Sequence, residues 1–454
     1  MPANSQNQQT VKTGLVTAIS VVAANMIGTG IFTSLGFQLD DIPRPFTILV
    51  LWAVGGIVAL CGAFSYGELG SVFPRSGGEY HFLQKIYHPL VGFLAGWVSF
   101  VAGFSAPIAA AAIAAGQYGL RLFIDVGWVS ADIQSAAVKA LACLMVLLVA
   151  WVHTRKIKTI SLFQNFFTGL KVALIVVLIG AGFILASPQD ISFAPGPETL
   201  SSVFSGAFAV SLVFVMYTYS GWNASAYIIN DIKNPRRNLP LSLFLGTLLV
   251  ALLYIPVNGV FLYAAPVDAM AGKEEVGYVA AGYIFGETGG IIMGFLISLG
   301  LVSTISSMTW AGPRVIQVMG EDYRLLRYFS AMNKNRIPVR AIAVQTALVL
   351  LMVLTSTFEE VIYFVGFTLT LFSFLAVLGV YIIRMRGWSN PGSYKTWGYP
   401  LTPAVFLSVS GWMMVYIVID QPRAVLFSLI TLIIGVIIYF FSEDANLKQG
   451  KYHQ

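Results

Sequence analysis

Long stretches with almost no charged residues recur along this sequence, and no other feature constrains its folding as strongly. Twelve such runs lie near 15–39, 45–72, 90–120, 134–153, 159–186, 201–230, 239–264, 285–318, 339–357, 360–384, 400–419 and 423–441. A helix crossing a hydrocarbon core of about 30 Å needs roughly 20 mostly apolar residues, so each run is a candidate membrane span. Lipid offers no partner to a backbone amide, so each segment must satisfy its own as a helix, and the alternating pattern of a transmembrane barrel is missing. The reading is an all-α integral membrane protein with 12 transmembrane helices.

Composition agrees, with 57% hydrophobic and only 10% charged residues, where soluble proteins carry roughly a quarter charged. The net charge of +6 does not point to nucleic acid, because no solvated domain gathers the Lys and Arg. Instead most cations fall in alternate connecting segments, such as Arg155, Lys156, Lys158, Lys233, Arg236, Arg237, Lys334, Arg336 and Arg340. The positive-inside rule then puts both termini in the cytoplasm. Cys61 and Cys143 fall inside apolar runs, where a thiol acts as a small apolar side chain, so neither a disulfide nor a metal is expected, and no cofactor. The expected organisation is a disordered tail over 1–14, a five-helix unit over 15–186, a second over 201–384, two further helices over 400–441 and a tail over 442–454. The first apolar run imitates a secretory signal, but eleven more follow it.

Two runs are interrupted in mid-membrane. The first reads Ala24-Asn25-Met26-Ile27-Gly28-Thr29-Gly30-Ile31-Phe32, and the sixth reads Met216-Tyr217-Thr218-Tyr219-Ser220-Gly221-Trp222-Asn223. One isolated Gly-x-Gly reads equally as a close helix contact. Two interruptions at matching places in a five-plus-five arrangement point to an inverted-repeat transporter, of the LeuT-like type with discontinuous helices 1 and 6, and a site at the bilayer midplane. The chemistry follows from the main chain. A helix restarting at Thr29 presents unpaired amides and a positive dipole end to a carboxylate. Carbonyls of Met26, Tyr217 and Ser220 accept from an ammonium. The expected ligand is thus a zwitterion, with Met26, Ile27, Gly28, Thr29, Gly30, Tyr217, Tyr219, Ser220, Gly221 and Trp222 as candidate binding residues. Tyr217, Tyr219 and Trp222 are gate candidates or ordinary packing.

Lys171 lies twelve residues into the fifth run, about 18 Å deep at 1.5 Å per residue. A cation there costs on the order of 2.5–3.5 kcal/mol, so it should face acceptors. Ser303, Ser306 and Ser307 form a polar stripe on the eighth run. Lys171 is expected to bridge that stripe and the broken first helix, either standing in for a coupling sodium ion or merely tying helices together. Glu68 and Asp231 sit near the cytoplasmic ends of the second and sixth runs and are expected to be solvated caps or to pair with nearby Arg and Lys. With no carboxylate foreseen at the site, neutral substrates fit better than cationic ones.

Together these residues resemble the amino acid–polyamine–organocation superfamily, closest to bacterial exchangers of the L-type amino acid transporter kind. Met26 to Phe32 resembles that family's Gly-Ser-Gly-Ile-Phe break with Thr29 for Ser, and Tyr219 to Asn223 its sixth-helix break. Asp231-Ile232-Lys233-Asn234-Pro235-Arg236-Arg237-Asn238-Leu239-Pro240 resembles the loop after it, while Tyr66-Gly67-Glu68-Leu69 and Pro74-Arg75-Ser76-Gly77-Gly78 resemble the second helix and its exit turn. The resemblance implies sodium-independent exchange of neutral amino acids across a plasma membrane, the bacterial inner membrane. It also implies carboxylate binding at Thr29 and Gly30, amine binding at Met26, Tyr217 and Ser220, a gate at Tyr217, and Lys171 in a vacant sodium site. Ser306 replaces an Asn common in exchangers. The segment 120–134 holds no Cys, so the disulfide that animal relatives make to a glycoprotein partner is not expected.

Proton-coupled symport with Lys171 as the protonated group is the alternative within transport. No His-Glu-x-x-His or Gly-x-Ser-x-Gly motif suggests an enzyme, and no Thr-Val-Gly-Tyr-Gly filter suggests a channel.

Overall fold

The computed structural model describes residues 12–442 apart from 43, 126, 198, 274, 356–357, 390 and 421. The expected tails thus fall almost wholly outside the described residues. The first run is two helices, α1 (Leu15–Met26) and α2 (Gly30–Asp41), followed by α3 (Pro45–Val72). A short helix α4 (Glu79–Ile86) precedes α5 (Pro89–Val98), which passes through a π-helical turn at Ser99–Ser105 into α6 (Ala106–Asp125). Then come α7 (Ala131–His153), α8 (Ile157–Leu185), the short α9 (Thr199–Val203) and α10 (Gly206–Tyr219). A 3-10 segment at Ala224–Asp231 leads to α11 (Pro235–Ala264), α12 (Val267–Met270) and α13 (Val276–Asp322). The chain closes with α14 (Val339–Thr355), α15 (Phe358–Met385), α16 (Leu401–Asp420) and α17 (Pro422–Phe441).

Proline opens α3, α5 and α11 in the first turn, where its missing amide has no helical partner to lose. Among the described residues nine helices are long and apolar enough to cross a membrane, and Val339–Thr355 and Val425–Phe441 are shorter apolar helices. The twelve expected runs are not twelve long helices because the run at 201–230 is divided after Tyr219. The third run contains the π-helical turn, and α4 was not foreseen. Helix α13 extends upstream of its run across a kink at Gly286, whose φ of 77° and ψ of 176° leave helical space, a conformation glycine adopts without strain.

Helix α1 packs against α11, α8 and α13, while α3 packs on α11 and α6 on α13. Large apolar side chains of α7 and α8, including Leu147, Trp151, Phe166 and Ile184, point outward and exposed, the arrangement expected of a surface covered by lipid. At one end of the bundle carboxylates meet cations. Arg384 contacts Glu68 through Nε and Nη2, Arg314 pairs with Asp231 at 2.9 Å, and Arg75 pairs with Asp322 at 2.9 Å. Glu68 and Asp231 are thus both paired.

Candidate functional site

The first helix leaves helical geometry at Ile27, with φ of −75° and ψ of 80°, and resumes at Gly30. Thr29 makes no side-chain cap; the Phe32 amide folds back to the Thr29 carbonyl at 2.9 Å, and the Gly30 and Ile31 amides keep the unpaired character of a helix N-terminus. The second interruption follows Tyr219, and Gly221 turns the chain with φ of 95°. A Cβ on Gly221 would lie 2.7 Å from Cβ of Asn25. Glycine is therefore required there twice over, by its backbone angle and by the approach of the two breaks.

A cavity of about 80 Å³ opens beside this junction. Asn25, Tyr217, Ser220, Gly221, Trp222, Asn223, Tyr227, Met308 and Ser373 line it, together with Glu79. Of the sequence candidates, Met26 to Gly30 lie at the first break but not in the cavity wall. Tyr219 is fully buried and turns to α3, where its hydroxyl donates to the Trp52 carbonyl at 3.1 Å. Trp222 stands edge-on to Tyr66 with ring centroids 4.7 Å apart.

Lys171, 2% exposed, donates from Nζ to the Ile27 carbonyl and, at 2.6 Å, to Thr304 Oγ1. Thr304 donates to the same carbonyl at 2.8 Å. The amine therefore reaches the first break, but its partner on α13 is Thr304 and not the serine stripe. Gly300 explains the difference: a Cβ there would meet the Lys171 stem at 3.4 Å, so the lysine lies over that position, and Thr304 is one turn further on the same face. Ser303 donates to its own helix at Gly300, Ser306 to Gln164 Oε1 at 2.6 Å, and Ser307 to the Val21 carbonyl at 2.8 Å.

The site in outline is a pair of touching main-chain breaks, a buried amine on one of them and a small cavity alongside. A family described as amino acid permease matches residues 14–441 of this sequence. The chain belongs to that family. It thereby joins the amino acid–polyamine–organocation superfamily, and it is a multi-pass membrane protein. The permease is similar to the b(0,+)-type amino acid transporter 1 of Homo sapiens, 24% identical over 434 residues that cover 94% of this chain and 87% of the relative. It is similar also to the large neutral amino acids transporter small subunit 2 of Mus musculus, 26% identical over 436 residues covering 94% of this chain and 80% of the relative.

Two groups at the permease's site escaped the sequence reading. Tyr254 on α11 donates from its hydroxyl to the Met26 carbonyl at 2.6 Å and lies 3.2 Å from the Thr218 carbonyl. The Met26 carbonyl also accepts from the Gly28 amide at 2.8 Å, so both of its lone pairs are engaged. No motif marks this tyrosine in a run that also holds Ser242, Thr247, Asn258 and Tyr263. Glu79 at the start of α4 is the second. Its Oε1 accepts from Tyr66 at 2.5 Å, Ser373 at 2.8 Å and Asn223 at 3.2 Å, and its Oε2 is buried without a hydrogen-bond partner. The expectation that no carboxylate faces the site does not hold, because the turn after α3 folds α4 back beneath the cavity.

Proposed function

We propose that this permease moves small to medium neutral L-amino acids across the membrane by alternating access, without sodium, as an exchanger. The reading assumes twelve spans in two inverted five-helix units over 15–186 and 201–384, with 400–441 added and both termini cytoplasmic. One observation carries it: two helices are interrupted where they touch, beside a cavity, which is the arrangement that lets main chain hold both charges of a zwitterion. The carboxylate is received by the first-turn amides at Thr29 and Gly30, a helix N-terminus favouring an anion. The ammonium is received by the Ser220 carbonyl, since Met26 is occupied by Tyr254 and Gly28. A cavity of about 80 Å³ favours a small side chain, and the one carboxylate in its wall already holds three protein donors on Oε1. Lys171 fills the place of a coupling cation, with Ser306 and Ser307 tying α13 to α8 and α1 around it, while Ser303 bonds within α13.

Counterflow in proteoliposomes tests the proposal. Uptake of labelled amino acid only into vesicles preloaded with unlabelled substrate is the expected result. Accumulation in empty vesicles driven by a pH gradient alone would replace exchange with proton symport and make Lys171 the candidate protonation site.

A further inference from the structure

Helices α7 and α14 leave between them an outward groove of about 320 Å³. Alanines hollow it at Ala150, Ala343 and Ala347, and Trp151 and Thr154 line it toward the end of α7. The exposed indole of Trp151 makes this a surface that acyl chains cover once the permease is in a bilayer. Its mouth is basic. Arg155 lies over the Trp151 ring with its guanidinium carbon 4.1 Å from the centroid, and Arg340 lies over Tyr328 at 4.4 Å. Asn333 reaches the Thr154 carbonyl at 3.5 Å, which brings the loop before α14, with Lys334 and Arg336, against the loop that carries Arg155 and Lys156. Residues 133–189 and 323–358 contain no acidic side chain, and among the described residues no carboxylate pairs with Arg155, Lys156, Arg336 or Arg340.

We infer that this groove binds an anionic phospholipid, with the phosphate between Arg155 and Arg340 and one acyl chain along Ala150, Ala343 and Ala347. The charge decides the occupant. Any lipid supplies the chain, but only a headgroup with net negative charge complements a cluster of unpaired cations at a membrane interface. Two guanidiniums fixed on aromatic faces lose less freedom on gripping a phosphate than two free lysines do.

The test places the permease in nanodiscs containing brominated phosphatidylglycerol or, at equal mole fraction, brominated phosphatidylcholine. The contribution of Trp151 is taken as the difference between the wild type and Trp151→Phe. At least threefold stronger quenching of that contribution by the brominated anionic lipid is expected, and the paired change Arg155→Gln with Arg340→Gln should remove the preference. Equal quenching by the two lipids in the wild type overturns the inference, and this arm needs no substituted arginine to fold. A preference that survives the double substitution overturns the headgroup assignment.

Discussion

Replacing Lys171 with Met isolates what the buried amine does. The substitution keeps an unbranched stem against Gly300, where the lysine Cγ would stand 3.4 Å from an added Cβ, and removes the donor to Ile27 and Thr304. Two hydrogen bonds disappear, worth about 1 kcal/mol each for a neutral amine and about 1.5–3 kcal/mol each for an ammonium. Against this, taking a cation out of the membrane interior returns on the order of 2.5–3.5 kcal/mol. For an ammonium the loss of about 3–6 kcal/mol is largely offset, leaving a net cost of up to about 3 kcal/mol, so the melting temperature in detergent should fall by only several degrees. The effects do not cancel at the first break. There the Ile27 carbonyl keeps only Thr304 Oγ1, and losing about 1.5–3 kcal/mol from one conformer lowers its population roughly ten- to a hundredfold. Counterflow by Lys171→Met should fall by that factor while the protein stays folded. Wild-type counterflow with an unaltered melting temperature would refute the reasoning and leave Lys171 as a helix tie with no part in transport.

Tyr254→Phe removes one donor to the Met26 carbonyl and should cost about 1 kcal/mol, read as a roughly fivefold rise in the substrate concentration for half-maximal counterflow; no change would deny the tyrosine a role in shaping the break. Glu79→Gln disturbs the acceptor that Tyr66, Asn223 and Ser373 share and should lower stability by about 2 kcal/mol, read as a fall in melting temperature, and slow transport; a stable variant with intact transport would show that the carboxylate merely fills space. His81 on α4 is buried with Nδ1 unpartnered, and burial, with Arg75 and Lys85 nearby, pushes it down to about 3. The folded state thus keeps this imidazole neutral while the unfolded chain takes up a proton near its ordinary value of about 6.5, so stability should fall as pH drops from about 6.5 toward 3 and hold steady above that range. Thermal unfolding of wild type and His81→Phe across this range checks the sign, since the substitution should flatten the slope.

How far such a site can be read in advance depends on the physics at each residue. Hydropathy reveals spans because lipid leaves an exposed backbone no alternative to helix, so the runs and the helices coincide in most places. The breaks were legible because Gly28, Gly30 and Gly221 interrupt apolar runs that need no glycine. Lys171 was legible by its cost, yet its partner was not. Moving from Ser303 to Thr304 turns the side chain by about 100° around the helix, and only the packing of Gly300 on the lysine stem selects between them. Tyr254 was hidden because the few hydroxyls of the thirty-residue helix Pro235–Ala264, Ser242, Thr247, Tyr254 and Tyr263, leave no periodic trace that singles it out. Glu79 was hidden for another reason: its place under the cavity depends on how the chain turns at Gly77 and Gly78, with φ of 112° and 54°, a long-range consequence of two local angles.

The partners of the two breaks divide in a way that bears on mechanism. Each interruption strands polar main chain inside a bilayer, where an unpaired group costs several kcal/mol. On the first break those carbonyls are held from outside the helix, Ile27 by Lys171 of α8 and Thr304 of α13, and Met26 by Tyr254 of α11. The amides of the restarted helix receive no side-chain cap. The Met26 and Ile27 carbonyls thus have protein donors, in keeping with the proposal that an anion meets the amides at Thr29 and Gly30. Tyr254 also approaches the Thr218 carbonyl at the second break, so one phenol spans both. A motion that separates the two breaks pulls this hydroxyl, with its single proton, away from one of the two carbonyls, a loss of about 1 kcal/mol. That is a roughly fivefold bias toward the closed approach of the two breaks, small beside the bonds that the proposed zwitterion would make.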